Sequence, residues 1–161
     1  MGVIMPVKKL LEFLDTNKIK YVSISHSTAF TAQELAAISH IPGKEIAKTV
    51  IIKIDGKMAM AVLPGSYKID FNELKGVLGA KEVRLAYEVE FKDKFPDCEV
   101  GAMPPFGNLY GLPVYVAKSL SDDEEIAFNG CSHKELIKMK YKDFERLAKP
   151  HILEFSYQTM L

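Results

Sequence analysis

Residues 49–63 constrain the fold more than any other stretch. Thr49-Val-Ile-Ile-Lys-Ile54 is rich in β-branched residues, Asp55-Gly56 interrupts it, and Lys57-Met-Ala-Met-Ala-Val-Leu63 resumes the apolar run. β-branched side chains are stiff at χ1 and fit a pleated surface better than a helix. Asp-Gly supplies the positive φ angles of a two-residue type I′ turn, so the stretch predicts a β-hairpin. The alternating Met58 and Met60 then read as part of a core-facing surface.

Around this hairpin the pattern alternates between helix and strand. Pro6 in a first turn, followed by Val7, Leu10, Leu11 and Leu14, gives the i, i+3, i+4, i+7 stripe of an amphipathic helix ending near Asn17. Tyr21-Val-Ser-Ile-Ser25 alternates as a strand does. Thr31-Ala-Gln-Glu34 is a capping box and starts a helix running to about His40, before Pro42-Gly43. Asp70 caps a short helix carrying Leu74, Val77 and Leu78. Lys81–Ala86 predicts a short strand, Tyr87–Phe95 a short helix, and Val114–Ala117 a strand. Glu125–Phe128 and Leu136–Met139 predict two more strands, and Tyr141–Ala148 a last helix before Pro150. Strands in the middle and end with helices between them indicate an α+β (mixed α/β) fold. The expectation is one domain over residues 1–161, a central mixed sheet or small barrel with flanking helices.

Composition narrows the function classes. Lys plus Arg and Asp plus Glu are equal at 21 each, so the formal net charge is zero. That argues against a protein that coats DNA or RNA by bulk charge, but leaves room for binding a nucleic-acid end through a few placed cations. The stretch Lys134–Lys149 is basic and reads either as a solvated face or as a landing strip for phosphates. Nothing approaches the roughly 18 apolar residues of a membrane span, and the N-terminus lacks a signal-peptide pattern. The cytoplasm is the default location. Cys98 and Cys131 are too few for a disulfide scaffold and lack C-x-x-C spacing, so each is expected to be a reduced, semi-buried thiol. His40 and His151 read as structural or solvated.

A second unusual stretch is Gly101-Ala-Met-Pro-Pro-Phe-Gly107. Glycine permits close approach, and two prolines fix φ and remove donors. A stiff loop of this kind can present the N–H groups of Ala102 and Met103 to an anion or oxyanion. Read blandly, it is a tight connection between strands.

The ordered pieces His26-Ser-Thr-Ala-Phe-Thr31 with Glu34, Ile46-Ala-Lys48-Thr-Val-Ile51, Gly101-x-x-x-Pro105 with Phe106-Gly107, Asn129-Gly-Cys-Ser-His133 and Tyr141-Lys-Asp-Phe144 resemble the YbaK-type aminoacyl-tRNA deacylases. Those proteins share their fold with the editing domain of bacterial prolyl-tRNA synthetases. The resemblance spans most of the chain and implies a free-standing editing domain with no metal or organic cofactor. Its implied partners are the acceptor end of an aminoacyl-tRNA and, optionally, an aminoacyl-tRNA synthetase, with neither DNA nor a membrane. The implied activity is trans-editing: hydrolysis of the ester of a tRNA mischarged with alanine, cysteine or serine, with tRNA-Pro the expected carrier. The alternative is a non-catalytic module of the same fold that binds a tRNA end, a nucleotide or a synthetase. Cys131 departs from the small residue expected at its position, which bears on pocket size.

Ester hydrolysis needs a nucleophile, stabilisation of the carbonyl oxygen and correct positioning. The chain has no Gly-x-Ser-x-Gly motif and no cluster with metal-ligand spacing. Backbone-driven catalysis by Gly101 and Pro105 fits what remains, with water or the neighbouring ribose hydroxyl attacking. The resemblance makes Lys48 a catalytic cation; alone it would read as a surface lysine. Substrate binding is expected from Ala102, Met103, Pro104, Phe106 and Gly107 in the loop, from Gly130, Ser132 and His133 in the turn, and from His26 and Thr31. His133 could shape the amino-acid pocket, act as a general base, or merely cap the turn.

Overall fold

The hairpin predicted at 49–63 lies inside the largest sheet of the computed structural model, which describes residues 8–29 and 31–158. In chain order the elements are α1 (Lys8–Thr16), β1 (Tyr21–Ser25), α2 (Ala32–Ser39), β2 (Ala47–Ile54), β3 (Lys57–Pro64), β4 (Tyr67–Ile69), α3 (Phe71–Leu78) and β5 (Val83–Leu85). Then follow α4 (Glu88–Phe91), β6 (Val114–Ala117), α5 (Lys118–Ser121), β7 (Glu125–Asn129), β8 (Glu135–Lys140), α6 (Tyr141–Ala148), β9 (His151–Leu153) and β10 (Ser156–Gln158). The predicted start of the first helix at Pro6 lies outside the described residues.

β2 and β3 pair antiparallel from Ala47↔Pro64 to Ile54↔Lys57. Asp55 at φ 49° and Gly56 at φ 82° make the turn. The Asp55 carboxylate also accepts the N–H groups of Lys81 and Glu82, at 2.9 and 2.8 Å, which ties the turn to the start of β5. The five-stranded sheet runs β5-β2-β3-β6-β9, with β3–β6 and β6–β9 parallel. β1-β8-β7 form an antiparallel sheet, and β10-β4 a two-stranded one. A parallel bridge, Ile46↔Ala127, joins the first two sheets. The fold is therefore α+β around a mixed sheet, and the strands divide among three sheets rather than closing as a barrel.

Position in the sheet explains the unbroken apolar run of β3. Met60 and Val62 pack with Leu10, Leu14, Val114, Ile137 and Phe144 on one face; Ala59, Ala61 and Leu63 meet Ile52, Leu74 and Phe155 on the other. A central strand covered on both sides has no solvent face and loses its polar alternation. A third cluster seats Leu35 of α2 against Ile46, Ala127 and Leu136.

Elsewhere the structure revises details. The strand predicted at 81–86 shortens to β5, and the helix predicted at 87–95 is α4 followed by a 3-10 turn at Lys92–Lys94. β4, α5, β9 and β10 are three or four residues each, too short to show a period in the sequence. Among the described residues no helix is long and apolar enough to cross a membrane.

Candidate functional site

The segment 98–102 is strapped to the turn between β7 and β8. The Glu99 N–H donates to the Cys131 carbonyl at 2.8 Å, and the Cys131 N–H donates to the Ala102 carbonyl at 2.9 Å. These bonds bring the Cα atoms of Cys98 and Cys131 to 4.2 Å, and the two residues form a disulfide. The expectation of two separate reduced thiols is thereby corrected. The bond joins positions 33 apart, a pairing set by how the loop packs on the sheet and invisible to local spacing.

His133 completes the strap. Its backbone N–H donates to Glu99 Oε2 at 3.2 Å, and Nε2 lies 2.9 Å from the Val100 carbonyl. A carbonyl only accepts, so Nε2 carries the proton. His133 as a whole is 8% exposed. Gly101 covers it: a Cβ there would sit 3.4 Å from Cε1, and φ is +88°. The backbone thus needs glycine for its conformation. Glu99 is a residue that sequence reasoning missed, since nothing local marks it as the partner of a histidine 34 positions away.

The rest of the loop is core. Pro104 and Pro105 are buried. Phe106 is fully buried, its ring meeting Phe13, Phe128 and Phe144 at 5.8, 5.7 and 5.3 Å. A Cβ on Gly107 would collide with the Leu112 carbonyl oxygen at 2.5 Å. Phe106 and Gly107 therefore anchor the loop, and both are buried. The Ala102 N–H donates to the Glu99 carbonyl at 3.0 Å, so it is not presented as a free donor. Of the two donors expected, Met103 N–H is the one that makes no backbone bond among the described residues.

On the other side of the strap, the chain entering α2 runs along the turn. His26 N–H donates to the Lys134 carbonyl and Ala29 N–H to the His133 carbonyl, at 3.0 and 3.1 Å. His26 Nδ1 lies 2.6 Å from the Ser27 carbonyl and so is the protonated nitrogen; Nε2 is shielded from solvent with no hydrogen-bond partner among the described residues. Thr31 is spent on its cap: its hydroxyl accepts the Glu34 N–H at 3.0 Å and donates to the Glu34 carboxylate at 3.1 Å. Gly130 N–H closes the turn on the Glu135 carbonyl, and Ser132 Oγ accepts the Lys134 N–H, both at 3.0 Å.

Lys48 occupies the start of β2, two residues after the bridge Ile46↔Ala127. The bridge is parallel, so β2 leaves it in the direction in which β7 runs toward Asn129 and the turn. Lys48 itself pairs with Leu63 of β3. It is half-buried. Burial, reinforced by the charge of Lys68, lowers its pKa below the usual lysine range, and no ion pair holds it among the described residues. No group of three or more His, Cys, Asp or Glu side chains among the described residues is arranged to hold a metal ion.

Among the described residues, these segments carry a stiff glycine turn, a Met103 N–H with no backbone partner, an accepting imidazole nitrogen and, on β2, a lysine with no ion pair. Such a set suits an anionic, carbonyl-bearing ligand with an ammonium group. The family model for the aminoacyl-tRNA editing domain matches residues 26–147. The proline--tRNA ligases of Bacillus mycoides (strain KBAB4) and Bacillus cereus (strain AH187) are each 27% identical over 100 residues, covering 62% of this chain and 17% of theirs. The chain thus spans about a sixth of the length of these curated relatives. Among solved structures, hypothetical protein APE2540 superposes with a TM-score of 0.83 at 21% identity, over 92% of this chain and 99% of its own. A structure described as a candidate trans-editing enzyme for prolyl tRNA synthetase gives 0.82 at 19% identity, over 97% and 99%.

Proposed function

The chain belongs to the aminoacyl-tRNA editing domain family, and on that premise we propose that it is a trans-acting deacylase for mischarged tRNA. Its substrate is the ester between an amino-acid carboxyl and the ribose of the terminal adenosine. Water adds to the carbonyl carbon and loses a proton; attack by the neighbouring ribose hydroxyl only moves the ester to that oxygen, after which water must still add to release the amino acid. The tetrahedral intermediate then expels the ribose oxygen, which takes up a proton. The ester is already activated, so positioning and charge stabilisation carry most of the work. Met103 N–H in the Gly101–Pro105 loop donates to the developing oxyanion. Lys48 supplies positive charge to the terminal phosphate or to that oxyanion. His26 Nε2 accepts from the substrate's ammonium group.

The observation that carries this reading is the half-buried Lys48, held by no ion pair among the described residues, at the start of β2 beside the bridge to β7. A buried cation without a carboxylate is costly unless an anion completes it. The match to proline--tRNA ligases supports tRNA-Pro as the carrier, and the resemblance supports alanine, cysteine or serine as the amino acid. The test is a panel of tRNAs charged with small and large amino acids. Release above the spontaneous rate, fastest for a small residue on tRNA-Pro, is expected. No release from any member would overturn the proposal in favour of a module that only binds.

A further inference from the structure

We infer that Cys98 and Cys131 form a reversible thiol–disulfide site that clamps the Gly101 loop to the His133 turn. Both sulfurs sit in the strap itself. Cys98 lies three residues before Gly101, Cys131 two before His133, and backbone bonds from Glu99 and Ala102 flank the pair. Cys131 holds φ at 71°, a left-handed conformation that glycine adopts at no steric cost and cysteine does not. Cys131 therefore carries its sulfur at a backbone position that favours glycine, within bonding reach of Cys98. The Tyr110 hydroxyl stands 3.5 Å from Cys98 Sγ and 3.8 Å from Cys131 Sγ. Burial, with the charge of Asp97 added, pushes its pKa up to about 12, so it remains a protonated neighbour.

Exposure assigns the two roles. Cys98 is partly exposed and Cys131 is 1% exposed. A small-molecule disulfide such as oxidised glutathione therefore meets the Cys98 thiolate first. That thiolate attacks one glutathione sulfur and expels glutathione thiolate, leaving a mixed disulfide. The Cys131 thiolate then attacks Cys98 Sγ and expels the second glutathione. Two protein thiols are oxidised, one glutathione disulfide is reduced to two thiols, and the two protein protons pass to the leaving thiolates. Reduction by a dithiol retraces these steps, with attack at Cys98 Sγ and Cys131 leaving.

The clamp adds a covalent tie to a strap otherwise held by hydrogen bonds, so it narrows the range of loop positions without altering the residues that face substrate. The consequence for rate rests on the deacylase reading; the thiol chemistry does not. The test begins with fully reduced protein exposed to oxidised glutathione and followed by intact mass and by amide hydrogen exchange. The wild type is expected to lose two hydrogens and retain no glutathione. C131S is expected to stop with one glutathione on Cys98, and C98S to react ~10-fold or more slowly, as a buried thiol does. Exchange in residues 98–103 and 129–134 is expected to slow by ~10-fold or more on oxidation. A wild type that ends carrying glutathione, or equal exchange in the two forms, would overturn the inference. Deacylation several-fold faster in the oxidised form, with the difference absent in C98S, is the further expected result. If neither form cleaves any aminoacyl-tRNA while the thiol and exchange results hold, the deacylase reading falls and the redox site stands.

Discussion

A lysine half removed from water, with a second cation nearby, gains most when an anion arrives. Lys48→Ala is therefore expected to lower the deacylation rate by ~10²-fold or more while leaving the melting temperature unchanged or higher. Lys48→Arg should restore little, since a planar fork does not replace a compact charge. Equal rates for wild type and Lys48→Ala would return Lys48 to the surface. Gly101→Ala forces a Cβ onto φ +88° above the His133 ring. The strain is about 1 kcal/mol, or about 2–4 °C in Tm for a chain of this length, and the loss of activity in the folded fraction should be the larger effect. His133 has one nitrogen committed to Val100, so its removal should loosen the loop and slow all substrates together. Rates measured over the charged-tRNA panel check this, and a change confined to their ranking would assign the ring to the side-chain pocket instead. Lys48 and His133 are legible only through ordered resemblance, because no local spacing joins them, whereas the Gly101 loop stands out by its own glycine and prolines. Glu99 and the cysteine pair were not legible at all: their partners lie more than thirty positions away and are chosen by packing.

At the level of elements, local chemistry and length decide what can be read. The hairpin announces itself through Asp-Gly and two β-branched runs, and the capped helices through Thr31 and Asp70, whose side chains accept the N–H groups of Glu34 and Glu73. Three-residue strands such as β4 and β10 exist because they pair with each other, and no period fits in so few residues. The turn entering β7 carries a testable cost. Burial pushes the Asp123 carboxyl up to about 6 from its ordinary 3.8, and one oxygen is shielded without a partner among the described residues. The folded chain thus keeps a proton that the unfolded chain gives up, so stability declines as pH rises from about 4 to about 6 and stays lower above. Asp123→Asn should stabilise the protein at pH 7 by about 1 kcal/mol, after allowance for partial exposure, and by nothing near pH 3. Thermal melts at the two values decide it. A uniform gain at both would refer the effect to packing.

Across the whole molecule, the candidate site belongs to no one element. His26 comes from the chain leaving β1, Gly101 from a long loop, His133 from the β7–β8 turn and Lys48 from the start of β2. Ser25 and Glu135, hydrogen-bonded at 3.4 Å, are 110 positions apart. Such long-range assembly predicts that activity fails before the sheets do. In a urea titration, deacylation should be lost at a lower midpoint than far-UV circular dichroism, because surface loops open with less free energy than core strands. Coincident midpoints would show the site to be as stable as the core. The parallel bridge between Ile46 and Ala127 has a consequence for synthesis as well. As the chain emerges from the ribosome, β2 and β3 can close their hairpin early, but the seam beside Lys48 waits for β7, and the turn waits for β8. A prematurely released fragment ending before His133 would therefore contain His26, Lys48 and Met103 without the completed turn that straps the Gly101 loop.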